Sequence, residues 1–185
     1  MGGPLRHKAV LMKPAALLLA LAALFAAPAA IAAPELQPKL AEIGFLVGDW
    51  SNGQGHVSET GGRSTGASKI TVEAGGGVLL RRDHTSLFDR DGKPVGGFNQ
   101  VMIIYPEAGT LHAEYSDGAH VIHYVSAEIQ PGRSVVFTSA VQPGAPVFRL
   151  AYELTAPDAL IVTFGMIPPG GDFRPIAVGT LRRGG

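Results

Sequence analysis

The chain has 185 residues, in which 15 lysine and arginine residues balance 15 aspartate and glutamate residues, and it contains no cysteine. A zero net charge without a basic cluster argues against nucleic acid or an anionic membrane surface as a partner. The absence of cysteine excludes disulfides and also excludes the lipid-bearing cysteine of a bacterial lipoprotein.

Residues 1–32 have the order of a secretory signal peptide. Arg6, Lys8 and Lys13 come before an apolar run, and Ala30-Ile31-Ala32 then forms an A-x-A cleavage site. We therefore expect cleavage after Ala32 and export to the periplasm or the medium, with no stable membrane insertion afterwards. An uncleaved anchor helix is the alternative.

Two consequences follow for domain organisation. Met12-Lys13 is itself a conventional signal-peptide start, so residues 1–11 are a candidate extension upstream of the true start. The remaining residues, 33–185, are enough for one domain with one core.

The first predicted element of this domain is a short amphipathic helix. Leu36, Leu40, Ile43 and either Leu46 or Val47 recur at spacings of three and four residues. Gly44 and Gly48 limit its length.

After Gly48, short runs rich in Val, Ile, Tyr, Phe and Thr alternate with Gly, Pro and Asp turn sequences. No helix-length gap separates two runs, which excludes βαβ units. About ten consecutive strands predict an all-β, up-and-down antiparallel barrel, with a β-sandwich as the runner-up. The predicted strands lie near 49–58, 66–74, 78–88, 95–105, 110–116, 119–128, 134–141, 147–154, 159–167 and 173–183.

The glycine-rich segment 48–55, GDWSNGQG, could in principle hold a phosphate. A phosphate loop works by opening a helix, whereas strands follow here and no lysine completes a Walker pattern. We therefore expect Gly53 and Gly55 to let the first strand bend as the sheet closes.

One hairpin can be aligned from the sequence alone. Asp117-Gly118 indicates a two-residue turn in which Ser116 pairs with Ala119. We expect the more apolar face to point into the barrel, where Tyr115, His120 and Tyr124 would meet a ligand. That face carries Leu111, Ala113, Tyr115, His120, Ile122 and Tyr124.

The other face of this hairpin would place His112 directly opposite His123. Cross-strand side chains are close enough for two imidazoles to share a metal ion. The alternative is an ordinary polar outer face.

The strand at 78–88 leaves its orientation open because both of its faces carry charge. Arg82 and His84 share one face with Leu80, and Arg81 and Asp83 share the other with Leu79. If Arg82 and His84 face inward, they are the anchor for a ligand carboxylate, because a buried cation needs an anionic partner.

No catalytic motif is present: there is no G-x-S-x-G and no H-E-x-x-H, and the carboxylates are too few and scattered to name a glycosidase pair. We therefore expect a non-catalytic protein without a cofactor, which binds a small apolar molecule inside the barrel. A small enzyme that uses His84 or His120, and a structural domain whose barrel is filled by its own side chains, are the alternatives.

The opening FLVGDWSNGQG followed by about ten strands resembles the calycin superfamily, which includes lipocalins, fatty-acid-binding proteins and nitrobindin-like barrels. Gly48-Asp49-Trp50 matches the G-x-W motif of lipocalins, and Gly53 and Gly55 approach the longer glycine motif of nitrobindin-like proteins. The chain also resembles bacterial lipocalin-like domains of unknown function, in its LVGxW opening and its hairpin over 117–124.

This resemblance implies two site features. In many calycins the first-strand tryptophan packs against an arginine near the end of the last strand, which here would be Trp50 with Arg182 or Arg183. Nitrobindin-like proteins bind haem through a histidine near the C-terminus, but this chain has no histidine after His123. A haem-binding barrel acting on nitrogen oxides or peroxides is therefore the alternative function, with His120 as the substitute ligand.

Overall fold

A computed structural model describes residues 35–58 and 60–184. The predicted signal peptide over 1–32 lies outside the described residues. One helix, α1 (Pro38–Ala41), and two 3₁₀ turns (Gly44–Leu46 and Ala74–Gly76) accompany ten strands. The strands are β1 (Gly48–Val57), β2 (Gly62–Glu73), β3 (Val78–Phe88), β4 (Pro94–Glu107), β5 (Thr110–Ser116), β6 (Val121–Gln130), β7 (Ser134–Ser139), β8 (Val147–Ala156), β9 (Ala159–Ile167) and β10 (Arg174–Arg183).

The ten strands form one closed antiparallel barrel. Each strand pairs with its neighbours in the chain, and β1 pairs with β10 to complete the ring. The predicted fold class is confirmed, and the sandwich alternative is wrong. No helix within the described residues is long and apolar enough to cross a membrane.

Strand β1 contains a bulge where its register shifts between Trp50 and Gly53 against β2. A Cβ atom at Gly53 would lie 2.7 Å from the carbonyl oxygen of Gly66 and 2.8 Å from Leu181 Cδ2. Only glycine therefore fits this close approach of strands, as expected where a sheet bends to close.

The N-terminal segment covers one end of the barrel. The predicted helix is shorter than its apolar spacing suggested: α1 makes one turn, and the chain then continues as the 3₁₀ turn. The apolar spacing nevertheless places Leu40, Ile43 and Leu46 on one side, and all three are fully buried. This end is called the closed end below.

Trp50 fastens the covering segment to the barrel. Its indole is 1% exposed, and its Nε1 donates a hydrogen bond to the Leu46 carbonyl at 2.8 Å. The Arg183 guanidinium lies 4.3 Å from the centre of the indole ring and donates to the carbonyl oxygens of Val47 and Phe45.

Of the two arginines that the resemblance offered as partners of Trp50, Arg182 is wrong and Arg183 makes the contact. Trp50 pairs with Arg183 across β1 and β10, and side chains of paired residues project from the same face. Arg182 points to the opposite face, where its Nη1 lies 3.6 Å from the Asp158 carboxylate.

The β5–β6 hairpin has a longer turn than predicted. Ser116 pairs with Val121 rather than Ala119, and residues 117–120 form the connection. The Asp117 carboxylate stabilises this turn by accepting hydrogen bonds from the backbone N–H groups of Ala119 and His120 at 2.9 and 2.7 Å. The register moves by two residues, so each remaining strand residue keeps its predicted face.

Burial divides the barrel interior into two halves. Fully buried inward-facing side chains, such as Leu79, Ile104 and Leu111, gather towards the closed end. Towards the other end the inward-facing Tyr115 and Ile122 are only partly buried. This second half, the open half, therefore contains inward-facing surface that the protein does not cover.

Candidate functional site

Strand β3 carries the polar centre of the barrel interior. Arg81 and Asp83 project inward with Leu79, whereas Arg82 and His84 are exposed on the outer wall. The alternative in which Arg82 and His84 anchor a ligand inside the barrel is therefore wrong. Arg81 and Asp83 form a salt bridge and neutralise each other, which makes their burial tolerable.

The outward residues of β3 have other partners. His84 Nδ1 lies 3.0 Å from Asn99 Oδ1, and both residues are exposed. Arg82 and His84 also line a groove of about 370 Å³ on the barrel wall, together with Lys69.

The Arg81 guanidinium connects three strands inside the barrel, β3, β4 and β8. Its Nη2 donates to Asp83 and, at 3.0 Å, to Gln100 Oε1. Its Nη1 donates to the Tyr152 hydroxyl and lies 3.7 Å from Met102 Sδ. Both terminal nitrogens are therefore engaged by the protein itself.

Burial and neighbouring charges act on the pKa values of two members of this network, Arg81 and Tyr152. Burial alone lowers the pKa of Arg81, but Tyr152 and Asp83 outweigh burial, so that the pKa is raised and the guanidinium stays charged. Burial raises the pKa of Tyr152 although Arg81 acts against it, so that the phenol stays neutral. The network thus combines one cation, one carboxylate and neutral hydrogen-bonding groups.

Asp83 is less completely satisfied than its partner. Its side chain is only 8% exposed, and its Oδ2 accepts from Arg81. Its Oδ1 is buried and has no hydrogen-bond partner among the described residues. A buried carboxylate oxygen normally accepts a hydrogen bond, and Oδ1 departs from this rule.

Aromatic and aliphatic side chains surround the polar centre on the side of the open half. Phe148 and Phe164 stack with ring centres 5.8 Å apart. Tyr124 is buried at the centre, where burial raises its pKa. Burial, followed by Asp117, raises the pKa of Tyr115 to about 12. All of these side chains are neutral at physiological pH, as an apolar ligand would require.

The sequence-predicted ligand residues are thus brought together only in part. Tyr115 and Tyr124 lie on the inner wall near Arg81, but His120 lies on the β5–β6 turn with its side chain 75% exposed. The longer turn explains this difference, because it removes His120 from the strand. Its Nδ1 lies 3.2 Å from Asp117 Oδ2, the oxygen to which the Tyr115 hydroxyl is 3.5 Å distant.

The exposed position of His120 also argues against the haem-binding alternative. Haem held through His120 would need that imidazole inside the barrel, and His120 is at the rim. Among residues 35–58 and 60–184, the other histidines also lie on outward-facing strand positions: His56, His84, His112 and His123. The inner wall therefore does not fit a histidine-held haem.

His112 and His123 do not face each other, because the register is shifted. His123 pairs with Glu114 and its Nδ1 contacts the Glu114 carboxylate, while His112 stacks on Tyr105. No group of three or more potential ligands among the described His, Asp and Glu residues could hold a metal ion.

Sequence reasoning did not select Arg81, Asp83, Gln100 or Tyr152 for the site. A signal was available for the first two, since opposite charges two residues apart lie on the same face of a strand and can be buried as a pair. Gln100 lies on the neighbouring strand β4, paired with Asp83, whereas Tyr152 lies on β8 and only the closed barrel brings it to Arg81.

Comparison with known proteins gives a likeness of fold. No family model and no curated protein matches the chain. Among solved structures, the chain is similar to Rv2717c from M. tuberculosis, with a TM-score of 0.56 and 14% identity over 82% of this chain and 100% of that one.

Two further solved structures are similar at lower scores. The S-type phycobiliprotein lyase CPES from Guillardia theta has a TM-score of 0.45 and 12% identity, covering 80% of this chain and 98% of that one. EF1p2_mFAP2b bound to DFHBI has a TM-score of 0.42 and 12% identity, covering 79% and 99%. The likeness to Rv2717c supports the closed antiparallel barrel, which fits the calycin-like, lipocalin-like architecture that the sequence resembles.

Proposed function

We propose that this protein is an exported, non-catalytic binding protein that holds one small, mostly apolar molecule in the open half of its barrel. The observation that carries the proposal is the incomplete burial of inward-facing apolar side chains there. Ile122, Phe148, Phe164 and Met166 all face inward and are only partly covered by the protein. Small closed barrels are able to hold one ligand in this position.

Burial of apolar surface supplies the affinity in this proposal. Each Å² of apolar surface removed from water contributes about 25 cal/mol. Association costs part of that gain, because the ligand loses translational and rotational freedom. The stacked pair Phe148 and Phe164 gives a flat apolar wall that is ordered before the ligand arrives.

Export is part of the same proposal and rests on residues 1–32. We expect protein recovered from the periplasm or the medium of its own host to begin at Ala33. Recovery from the cytoplasm with an intact N-terminus would contradict export.

Ligand binding is tested by native mass spectrometry of protein purified from that host, followed by titration with an environment-sensitive apolar dye. Phe164→Glu places a charge on the inner wall and should weaken dye binding at least about tenfold. Thr163→Glu is the matched control, because its neighbouring position on β9 points outward. Equal binding by the two variants, or no binding by the unaltered protein, would contradict the proposal.

A further inference from the structure

The polar side chains at the centre of the barrel restrict the kind of polar group that a bound molecule can carry. Arg81, Asp83 and Gln100 lie together on the inner faces of β3 and β4, with Asp83 paired to Gln100. Along β3, Asp83 is one inward position nearer to the open end than Arg81. A molecule that enters from the open half therefore reaches Asp83 before it reaches Arg81.

Arg81 has no terminal nitrogen left for a ligand carboxylate. Nη2 donates to Asp83 and Gln100, and Nη1 donates to Tyr152 and contacts Met102. A carboxylate in the open half would instead lie beside the carboxylate of Asp83. Two carboxylates beside one buried guanidinium repel each other, so that one of them must be protonated or must move away from Arg81.

Asp83 offers the opposite chemistry. Its Oδ1 is a buried acceptor without a hydrogen-bond donor among the described residues, on a side chain that is 8% exposed. Because Oδ1 is covered by the protein, a ligand donor reaches it after the covering side chains shift, and the donor then satisfies an oxygen that otherwise has none. Because the Arg81–Asp83 pair is neutral as a whole, a neutral donor adds no uncompensated charge to the interior.

Resting on the proposed function, we infer that the ligand carries a neutral hydrogen-bond donor, such as a hydroxyl or an amide N–H, at one end of an apolar body, and that Asp83 Oδ1 accepts this hydrogen bond. The site thereby discriminates against carboxylate-headed molecules of the same shape. This selectivity comes from the buried Arg81–Asp83 pair. The apolar wall makes the same contacts with the tails of molecules that differ only in their polar group.

Three probes with the same apolar tail test the inference: decanol, decanoate and decyl methyl ether. Each competes with the bound apolar dye on the full chain at neutral pH. Decanol should bind at least about tenfold more tightly than either of the others, because the ether leaves the buried acceptor unpaired and decanoate brings a second carboxylate.

Asp83→Asn provides the second readout. Loss of the negative charge allows Arg81 to bind a carboxylate, so the affinity for decanoate should rise about tenfold or more. Decanol should then bind no more tightly than decyl methyl ether. Asp49→Asn is the matched control, since Asp49 lies on the outer face beside Lys69. It should leave the order of the three probes unchanged.

The order of the three probe affinities on the unaltered protein tests the inference even if the Asp83→Asn variant does not fold. Tighter binding of decanoate than of decanol, or equal binding of all three probes, would overturn the inference and leave the proposed function intact. Binding of none of the three probes would overturn both.

Discussion

At the scale of single residues, Trp50 and Arg183 join the first and last strands of the barrel. Their stack holds the first strand to the last, and Arg183 also donates to two carbonyl oxygens of the covering segment. The resemblance to calycins predicted a tryptophan–arginine contact but could not choose between Arg182 and Arg183. The choice depends on the register of β1 with β10, which the bulge in β1 shifts.

Replacement of Arg183 tests this contact. Arg183→Ala should lower the free energy of unfolding by about 1–3 kcal/mol, because a cation–π contact and two hydrogen bonds are lost. Arg182→Ala removes only an exposed ion pair and should change it by less than about 1 kcal/mol. Urea unfolding followed by circular dichroism measures both, and equal losses would show that the stack does not hold the barrel closed.

The buried phenols predict a decline in stability at alkaline pH. Tyr115 loses its proton near pH 10 in the unfolded chain, but burial and Asp117 raise its pKa to about 12 in the folded protein. Between the unfolded and the folded pKa the unfolded state binds fewer protons than the folded state. The contribution of Tyr115 to folding stability is therefore complete below pH 10 and is lost as the pH rises towards 12.

Urea unfolding at a series of pH values below and above 10 measures this decline. Tyr115→Phe should make the decline shallower without removing it, because the pKa values of Tyr124 and Tyr152 are also raised by burial. A free energy of unfolding that stays constant or rises across this window would contradict the assignment of Tyr115 to the partly buried inner wall.

At the scale of elements, turn chemistry made most strands predictable. The strand over 78–88 and the strand over 159–167 have the predicted bounds, because glycine, proline or aspartate interrupts the chain on both sides. The predicted helix was too long because Gly44 favours a tighter turn. The hairpin register was wrong because a side-chain hydrogen bond of Asp117, which pairing rules do not consider, stabilises a four-residue connection.

The bulge of β1 gives a test at this scale. Gly53→Ala should destabilise the protein by about 1–3 kcal/mol, because its Cβ would overlap the backbone of Gly66. Gly179→Ala is the control on the adjacent strand β10, where the nearest atom would be 3.4 Å from the new Cβ. It should be neutral within about 1 kcal/mol or slightly stabilising. Equal destabilisation by both would refute the close approach of β1 and β2.

At the scale of the whole molecule, the sequence predicted closure of the barrel but not the position of its polar centre. Closure follows from ten consecutive antiparallel strands that would otherwise leave two exposed edges. The position of the polar centre depends on which face of β3 points inward, and the sequence could not show this because both faces carry charged residues. Tyr152 lies 71 residues from Arg81 in the chain, so no local pattern could have joined them.

Methyl chemical shifts during titration with decanol show whether the ligand binds in the open half of the barrel and leaves the closed half unchanged. We expect the signals of Ile122 and Met166, which face the open half, to move with decanol concentration. Signals of Ile104 and Leu111 at the closed end, and of the outward-facing Val101, should stay in place. Movement confined to Val101, or no movement at Ile122 and Met166, would contradict a ligand held inside the barrel.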